Sequence, residues 1–388
     1  MSKISGYSLS NYGDMVRCEP RMSAFAAALR GAVTPGCTVI DLGAGPGVFA
    51  ILACHFGAGK VIAIEPDPSI GLLDQLARDN GCSDRIEIFR GKSTDYEPSS
   101  KADVIVSDLR GGLPLFEGHI DSIKDARERL LAPRGIMIPG RDQIYIAAVE
   151  SLITYDYFDQ PWQTNRYELN LSAGSRFVVN SQTRVDLTEE VLLGSPQHLA
   201  TLDYQRIVDP NLRRKVTLPI DRAGFVHGLL LWFDAELADG ATYSNAPGQP
   251  PQVYRQTFFP LERPIAVDAG DTLHAEIMAN LIGGSYVWSW KTAVARGPDG
   301  PVEPCFRQST FLANIFQSGQ LAARSETFVP EPGERVAIDA LCLSLIDGER
   351  SLRAIADRVE AQYPTAFADS SAALNRVTEV AGRSGARD

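Results

Sequence analysis

The feature that most constrains the fold is a short run around residue 40. Val39-Ile40-Asp41-Leu42 is an apolar strand. Gly43-Ala44-Gly45-Pro46-Gly47 follows as a turn, and Val48-Phe49-Ala50-Ile51-Leu52-Ala53 reads as a helix. Glycine lets the backbone bend sharply and lets a ligand come close. The helix that follows presents free N–H groups at its start. The next strand, 60–64, ends in Glu65, where a carboxylate can accept both hydroxyls of a ribose. The bland alternative for Glu65 is a solvated acid at a strand end.

Strand–turn–helix units with such turns serve several nucleotide cofactors. Here Pro46 sits between the last two glycines, and the spacing is Gly-x-Gly-x-Gly. That spacing departs from the dinucleotide fingerprint. The alternation continues with a helix over 69–80, strands at 85–89 and 102–107, a helix over 121–131, and strands at 135–139 and 143–150. It predicts a doubly wound, mainly parallel sheet. Ligands bind beyond the carboxyl ends of such strands, so 41–47, 65, 93–95 and 108–117 are the informative stretches.

Composition narrows the partner. With 37 Lys and Arg against 48 Asp and Glu, the formal charge is −11. Such a chain is ill suited to tracking a phosphate backbone, so no nucleic-acid partner is expected. No apolar run approaches the roughly 18–20 residues of a membrane span. The first residues lack a signal-peptide core, which points to a cytoplasmic protein. The six cysteines are scattered without a Cys-x-x-Cys pair, so no metal site is expected.

The set VIDLGAGPG, IAIEPDPSI, FRGKSTD, VIVSDLRGGLPLFEG and ERLLAPRGIMIPGRDQIYIAAVES resembles the protein arginine methyltransferase family. These are class I S-adenosylmethionine enzymes. Residues 12–21, 224–234 and 254–259 are similar to further family segments in the same order. The resemblance implies a Rossmann-like sheet, then a β-barrel with a dimerisation arm at about 154–175. It implies S-adenosylmethionine as cofactor and S-adenosylhomocysteine as product. Carried over by position, Arg21 would bind the donor's methionine carboxylate, and Tyr12 would contact the donor near the site entrance. Asp41, Gly43 and Gly45 would form its cradle, Glu65 would hold its ribose, and Ser93 and Thr94 would meet its adenine. Asp108 and Glu117 resemble the family's two-glutamate loop, whose carboxylates clamp a guanidinium. A planar cation with five donors suits two converging acids. Two departures stand out. Asp108 is one methylene shorter than the family's Glu. Gln252-Val253-Tyr254 replaces a Thr-His-Trp loop, so the His is missing. Read without the resemblance, Asp108 and Glu117 are a loop acid and a helix-capping acid.

Residues 176–295 alternate apolar and polar residues between Gly and Pro turns, which predicts an antiparallel barrel or sandwich. Trp232, Trp288 and Trp290 are expected in its core. Tyr157, Phe158 and Trp162 in the arm favour a homodimer. After Pro301 the character changes to three helical stretches. The string LCLSLIDGERSLRAIADRVEAQYP resembles the small winged-helix domain of the pyrroloquinoline-quinone peptide chaperone family, which binds leader peptides. A helical tail packed on the barrel fits it equally well. The expected organisation is a cofactor domain over 1–150, a barrel with its arm over 151–300, and a linker with a helical domain over 301–388, peptide-binding on the chaperone resemblance. The expected activity is methyl transfer to a guanidinium or amine nitrogen of a cationic peptide or small molecule, in natural-product biosynthesis. The rivals are an oxygen or carbon acceptor on the same fold, and a peptide-binding scaffold with a vestigial site.

Overall fold

The computed structural model describes residues 7–297, 300–315 and 325–384. The chain divides into two units, 1–315 and 316–388. The first begins with helices α1 (Leu9–Arg17) and α2 (Glu19–Ala32). Ser8 caps α1. Its Oγ accepts the Asn11 N–H, and Asn11 Oδ1 accepts the Ser8 N–H. No residue of α1 is buried, whereas α2 buries Phe25, Ala28 and Leu29.

A five-stranded parallel sheet follows, in the order β3-β2-β1-β4-β5. Its strands are β1 (Thr38–Leu42), β2 (Lys60–Ile64), β3 (Ile86–Phe89), β4 (Ala102–Ser107) and β5 (Leu131–Ile138). TVIDL, KVIAI and ADVIVS are almost continuously apolar, as strands covered on both faces must be. Helices α3 (Val48–His55), α4 (Leu73–Asp79) and α5 (His119–Asp125) lie between strands in the chain. The strand order reverses between β1 and β4, so the switch-point crevice lies beyond their ends.

The last strand read from the alternation, 143–150, does not join this sheet. It is β6 (Arg141–Val149), and it pairs antiparallel with β10 (Gly224–Glu236) and with β8 (Gln197–Asp203). Alternation along the chain cannot say which neighbour a strand finds, and only Pro139 and Gly140 separate β5 from β6. One antiparallel sheet runs β7-β12-β10-β6-β8, with β7 (Thr183–Val185), β12 (Gln256–Val267) and a short β11 (Thr242–Ser244) on β10. The other runs β15-β14-β13-β9, from β9 (Leu212–Pro219), β13 (Thr272–Ile282), β14 (Ser285–Ala295) and β15 (Val302–Ser309). Phe259 of β12 meets Trp288 and Trp290 of β14 at 5.4 and 5.2 Å between ring centres. All three expected core tryptophans are buried. The structure thus has the expected class: a Rossmann-like α/β sheet followed by an antiparallel β-barrel.

The arm opens with α6 (Leu152–Gln163) and ends in α7 (Ser175–Val178). Its three aromatics have different fates. Tyr157 is 80% exposed. Phe158 packs inward near Phe258, at 6.4 Å between ring centres. Trp162 folds back on Gly174, where an added Cβ would lie 2.0 Å from its ring.

The second unit is helical over its described residues: α8 (Glu334–Leu345), α9 (Leu352–Gln362) and α10 (Ser370–Ser384). It has its own core of Ile338, Cys342, Ile355, Val359, Val377 and Val380. Ser351 Oγ caps α9 by accepting the Ala354 N–H at 3.2 Å.

Candidate functional site

The register of the parallel sheet assembles the site. Leu42 at the end of β1 pairs with Ile64 of β2 on one side and Ser107 of β4 on the other. The residues that follow, Gly43, Glu65 and Asp108, therefore leave the sheet at one level. Three segments far apart in the chain become one rim.

On the β1–β2 side the turn is wrapped tightly. Gly43, Gly45 and Gly47 have φ of 74°, 53° and 85°. Gly43 and Ala44 both donate to the Ile64 carbonyl. A Cβ on Gly43 would meet Leu109 at 2.3 Å, and one on Gly45 would meet the Tyr12 ring at 2.5 Å. Tyr12 thus lies directly over the turn, with its hydroxyl on Ser69 Oγ at 3.2 Å. Burial raises the Tyr12 pKa, opposed by the bond to Ser69. The Glu65 carboxylate accepts the Asp67 N–H at 2.8 Å and the Gly45 N–H at 3.0 Å. Burial pushes its pKa up against those two bonds. Asp41 Oδ2 accepts the Ala50 N–H at 2.9 Å and so caps α3 from the strand below. Its Oδ1 is buried without a partner. Burial raises the Asp41 carboxyl to about 7, although the Ala50 bond pulls the other way.

Asp108 is the hub of the other side. Its Oδ2 accepts Arg21 Nε at 2.6 Å and the Tyr254 hydroxyl at 2.5 Å. Its Oδ1 accepts Arg110 Nε at 3.1 Å. Arg110 Nη1 then reaches Asp142 Oδ1 at 2.9 Å, and Tyr204 donates to Asp142 Oδ2 at 2.5 Å. The Arg110 guanidinium is enclosed by the rings of Phe25, Phe233, Tyr243 and Tyr254, at 5.4 to 5.7 Å. Burial alone would raise the Asp108 pKa. Arg21, Arg110 and the Tyr254 bond outweigh it, and the carboxyl is lowered. Asp142 is raised, because burial there exceeds the help of Arg110 and Tyr204. Burial also lowers His119 to about 4, despite its bond to the Pro114 carbonyl, so that imidazole is neutral at pH 7.

The expected site residues divide accordingly. Tyr12, Asp41, Gly43, Gly45 and Glu65 surround the turn at the ends of β1 and β2. Arg21 lies on the acid side, on Asp108 and Tyr254. Ser93 is buried, and its carbonyl accepts Arg129 Nη2 at 2.7 Å. Thr94 is exposed and bonds only to Asp95. Glu117 and Asp108 share no hydrogen-bond partner among the described residues. Glu117 is exposed, has φ of 42°, and makes no side-chain hydrogen bond or ion pair among the described residues.

Sequence reasoning missed Arg110, Asp142, Tyr204, Tyr243 and Tyr254 as members of one network. Arg110 lay in the quoted loop, and an arginine amid Gly, Leu and Pro was the only available signal. Asp142, Tyr204 and Tyr243 carry none, because the barrel strands bring them in.

The turn side fits a nucleoside donor. A narrow cradle that added Cβ atoms would fill, an unpartnered buried Asp41 oxygen and the Glu65 carboxylate stand together at the switch point. Among the described residues no cluster of His, Cys, Asp or Glu could hold a metal ion, and no helix is long and apolar enough to cross a membrane.

Comparison with known proteins agrees with this fold. The family model "Arginine methyltransferase oligomerization subdomain" matches residues 141–281. That of "Ribosomal protein L11 methyltransferase" matches 24–138. The chain is 30% identical over 267 residues to an arginine N(omega)-methyltransferase of Streptomyces achromogenes subsp. streptozoticus, covering 67% of this chain and 73% of the relative. It is 29% identical over 251 residues to protein arginine N-methyltransferase 2 of Mus musculus, covering 61% of this chain and 56% of that protein. Among solved structures, Arabidopsis thaliana protein arginine methyltransferase 10 superposes with a TM-score of 0.70 at 22% identity, over 78% of this chain and 97% of that one. The Trypanosoma brucei PRMT1 enzyme–prozyme heterotetramer with AdoHcy gives 0.72 at 19%, over 79% and 99%. At these identities the structural likeness speaks for the fold, and the Streptomyces relative for kinship. The chain belongs to the arginine methyltransferase family of S-adenosylmethionine-dependent enzymes.

Proposed function

We propose that this enzyme methylates a nitrogen of a guanidinium or amine on a peptide or small molecule. The observation that carries the reading is the ionised, buried Asp108 at the end of β4, level with the glycine turn of β1 and Glu65 of β2. S-adenosylmethionine supplies a methyl group on a sulfonium, which a nitrogen lone pair can displace in line. The turn at 43–47 and Glu65 hold the donor, with Tyr12 as a cover. Ser93 flanks its base, with Thr94 beside it. Arg21 binds the donor's carboxylate from the acid side. Glu117 orients the acceptor, and Asp108 supplies the negative charge at the end of β4. A carboxylate near the accepting nitrogen also stabilises the cation that forms as the methyl arrives. Since the reaction is a displacement, positioning supplies much of the rate.

The exposed arm residues Tyr157 and Tyr167 support a homodimer through 154–175, and a role in natural-product biosynthesis is the setting we favour. The test is transfer of labelled methyl from S-adenosylmethionine to arginine, arginine peptides and alkylamines. Label on nitrogen, abolished in Glu117→Gln and Asp108→Asn together, supports the reading. Transfer only to oxygen or carbon, or full turnover in the double variant, overturns it.

A further inference from the structure

Asp108 is the carboxylate expected to clamp an incoming guanidinium, yet the chain already supplies one. Arg110 Nε lies 3.1 Å from Asp108 Oδ1, and its Nη1 lies 2.9 Å from Asp142 Oδ1. Two carboxylates on one guanidinium inside a ring of four aromatic faces is how a protein would recognise an arginine side chain. Here the occupant is covalently part of the chain.

The occupancy is permanent. The side chains of Arg110 and Asp142 are both fully buried, and Asp108 is 7% exposed. Withdrawing Arg110 would leave two buried carboxylates short of their cation, which is strongly unfavourable. A bidentate fork needs both oxygens of its carboxylate. On Asp108, Oδ1 is held by Arg110 and Oδ2 by Arg21 and Tyr254. Even if Arg21 turned to a bound donor, Arg110 would still hold Oδ1. Formally, Arg21, Arg110, Asp108 and Asp142 sum to zero, so the cluster does not attract a further delocalised cation. The free carboxylate beyond it is Glu117, one acid at the exposed end of the loop.

We infer that Arg110 is a specificity-determining residue that takes the guanidinium place on Asp108, so that the acceptor is an amine oriented by Glu117 rather than a guanidinium. This rests on the nitrogen-acceptor reading above and narrows it to one of its two classes. An amine needs no planar fork and can be held by one carboxylate.

The experiment uses ethylguanidine as the probe. Arg110→Ala vacates the cage and Arg110→Met fills it without charge, and each is also made with Asp142→Asn, which removes one of the two carboxylates left unpaired and so keeps a folded variant in the set. Folding is checked by a cooperative melting transition. Calorimetry with saturating S-adenosylhomocysteine is expected to show no ethylguanidine binding to the native enzyme at millimolar concentration. Arg110→Ala should bind it at least tenfold more tightly and gain several degrees in melting temperature, while Arg110→Met should gain neither. In the transfer assay, the native enzyme should methylate butylamine and not butylguanidine. Native binding of ethylguanidine as tight as the variant's, no binding to either, or methylation of butylguanidine by the native enzyme would each overturn the role of Arg110. Methylation of butylguanidine would leave the nitrogen-acceptor reading standing. Loss of nitrogen transfer altogether would strike that reading instead.

Discussion

Replacing Asp41 by Asn tests the donor side of the site through stability alone. Asp41 is fully buried, has one bond from Ala50 N–H, and keeps Oδ1 without a partner. Burial holds its carboxyl at about 7 in the folded protein, against an ordinary 3.8. At 1.36 kcal/mol per pKa unit, ionising it costs the fold about 4 kcal/mol. The folded value is the higher one, so the contribution is fully favourable below about pH 4. It is lost as pH rises through about 7. Between pH 5 and pH 8 the loss comes to about 3 kcal/mol. Asn keeps an oxygen for the Ala50 N–H and cannot ionise. Its own cost, an amide facing the position of Oδ1, is the same at both pH values. Urea unfolding of the ligand-free protein at pH 5 and pH 8 should therefore show the native stability falling by about 3 kcal/mol more than that of Asp41→Asn. The same variant should bind S-adenosylhomocysteine more weakly, since Oδ1 is the free acceptor in the cradle. Equal pH dependence in the two proteins would refute the claim that Asp41 is a buried, under-satisfied acid.

Glu65→Ala removes the acceptor of two backbone N–H groups and should weaken S-adenosylhomocysteine binding by about 1.5–3 kcal/mol, read by calorimetry. An unchanged dissociation constant would sink its role. Gly45→Ala forces a Cβ against the Tyr12 ring, so donor affinity should fall, and Tyr12→Ala in the same chain should restore part of it. Failure of that rescue would separate Tyr12 from the turn. Tyr254→Phe removes one of three donors on Asp108 and should destabilise the protein by about 1.5–3 kcal/mol in urea unfolding, the range for a bond to a charged group. Because that bond helps lower the Asp108 carboxyl, the variant should also lose less stability on acidification below the ordinary Asp range, with the loss complete at a higher pH. An unshifted acid limb would count against this network.

The α/β core was legible because its signals are local. An apolar strand, a Gly-x-Gly-x-Gly turn and an acid one strand later each follow from short-range sterics and hydrogen bonding. They specify a parallel sheet with its ligand end at 41–47, 65 and 108. The second sheet was legible as alternation, but β6 was read into the wrong sheet. A strand's pattern records which faces are covered, not which strand it pairs with. The C-terminal helices were legible for the same local reasons, from the spacing of Ile338, Leu341 and Cys342 and the cap at Ser351.

The acid side of the site could not be read in this way. Spacing put Asp108 and Glu117 nine residues apart and suggested a pair. Tertiary structure gave the two acids different surroundings: Asp108 is held by two arginines, while Glu117 stays exposed on left-handed backbone. Asp142, Tyr204, Tyr243 and Tyr254 come from strands and turns up to 146 residues from Asp108. Their meeting depends on how the barrel packs behind β4. The sequence by itself determined the glycine turn and the acid beside it, because that geometry is built from adjacent turns of chain. The tertiary structure alone decided how Asp108 is paired, because a buried ion network exists only once distant elements have excluded water together.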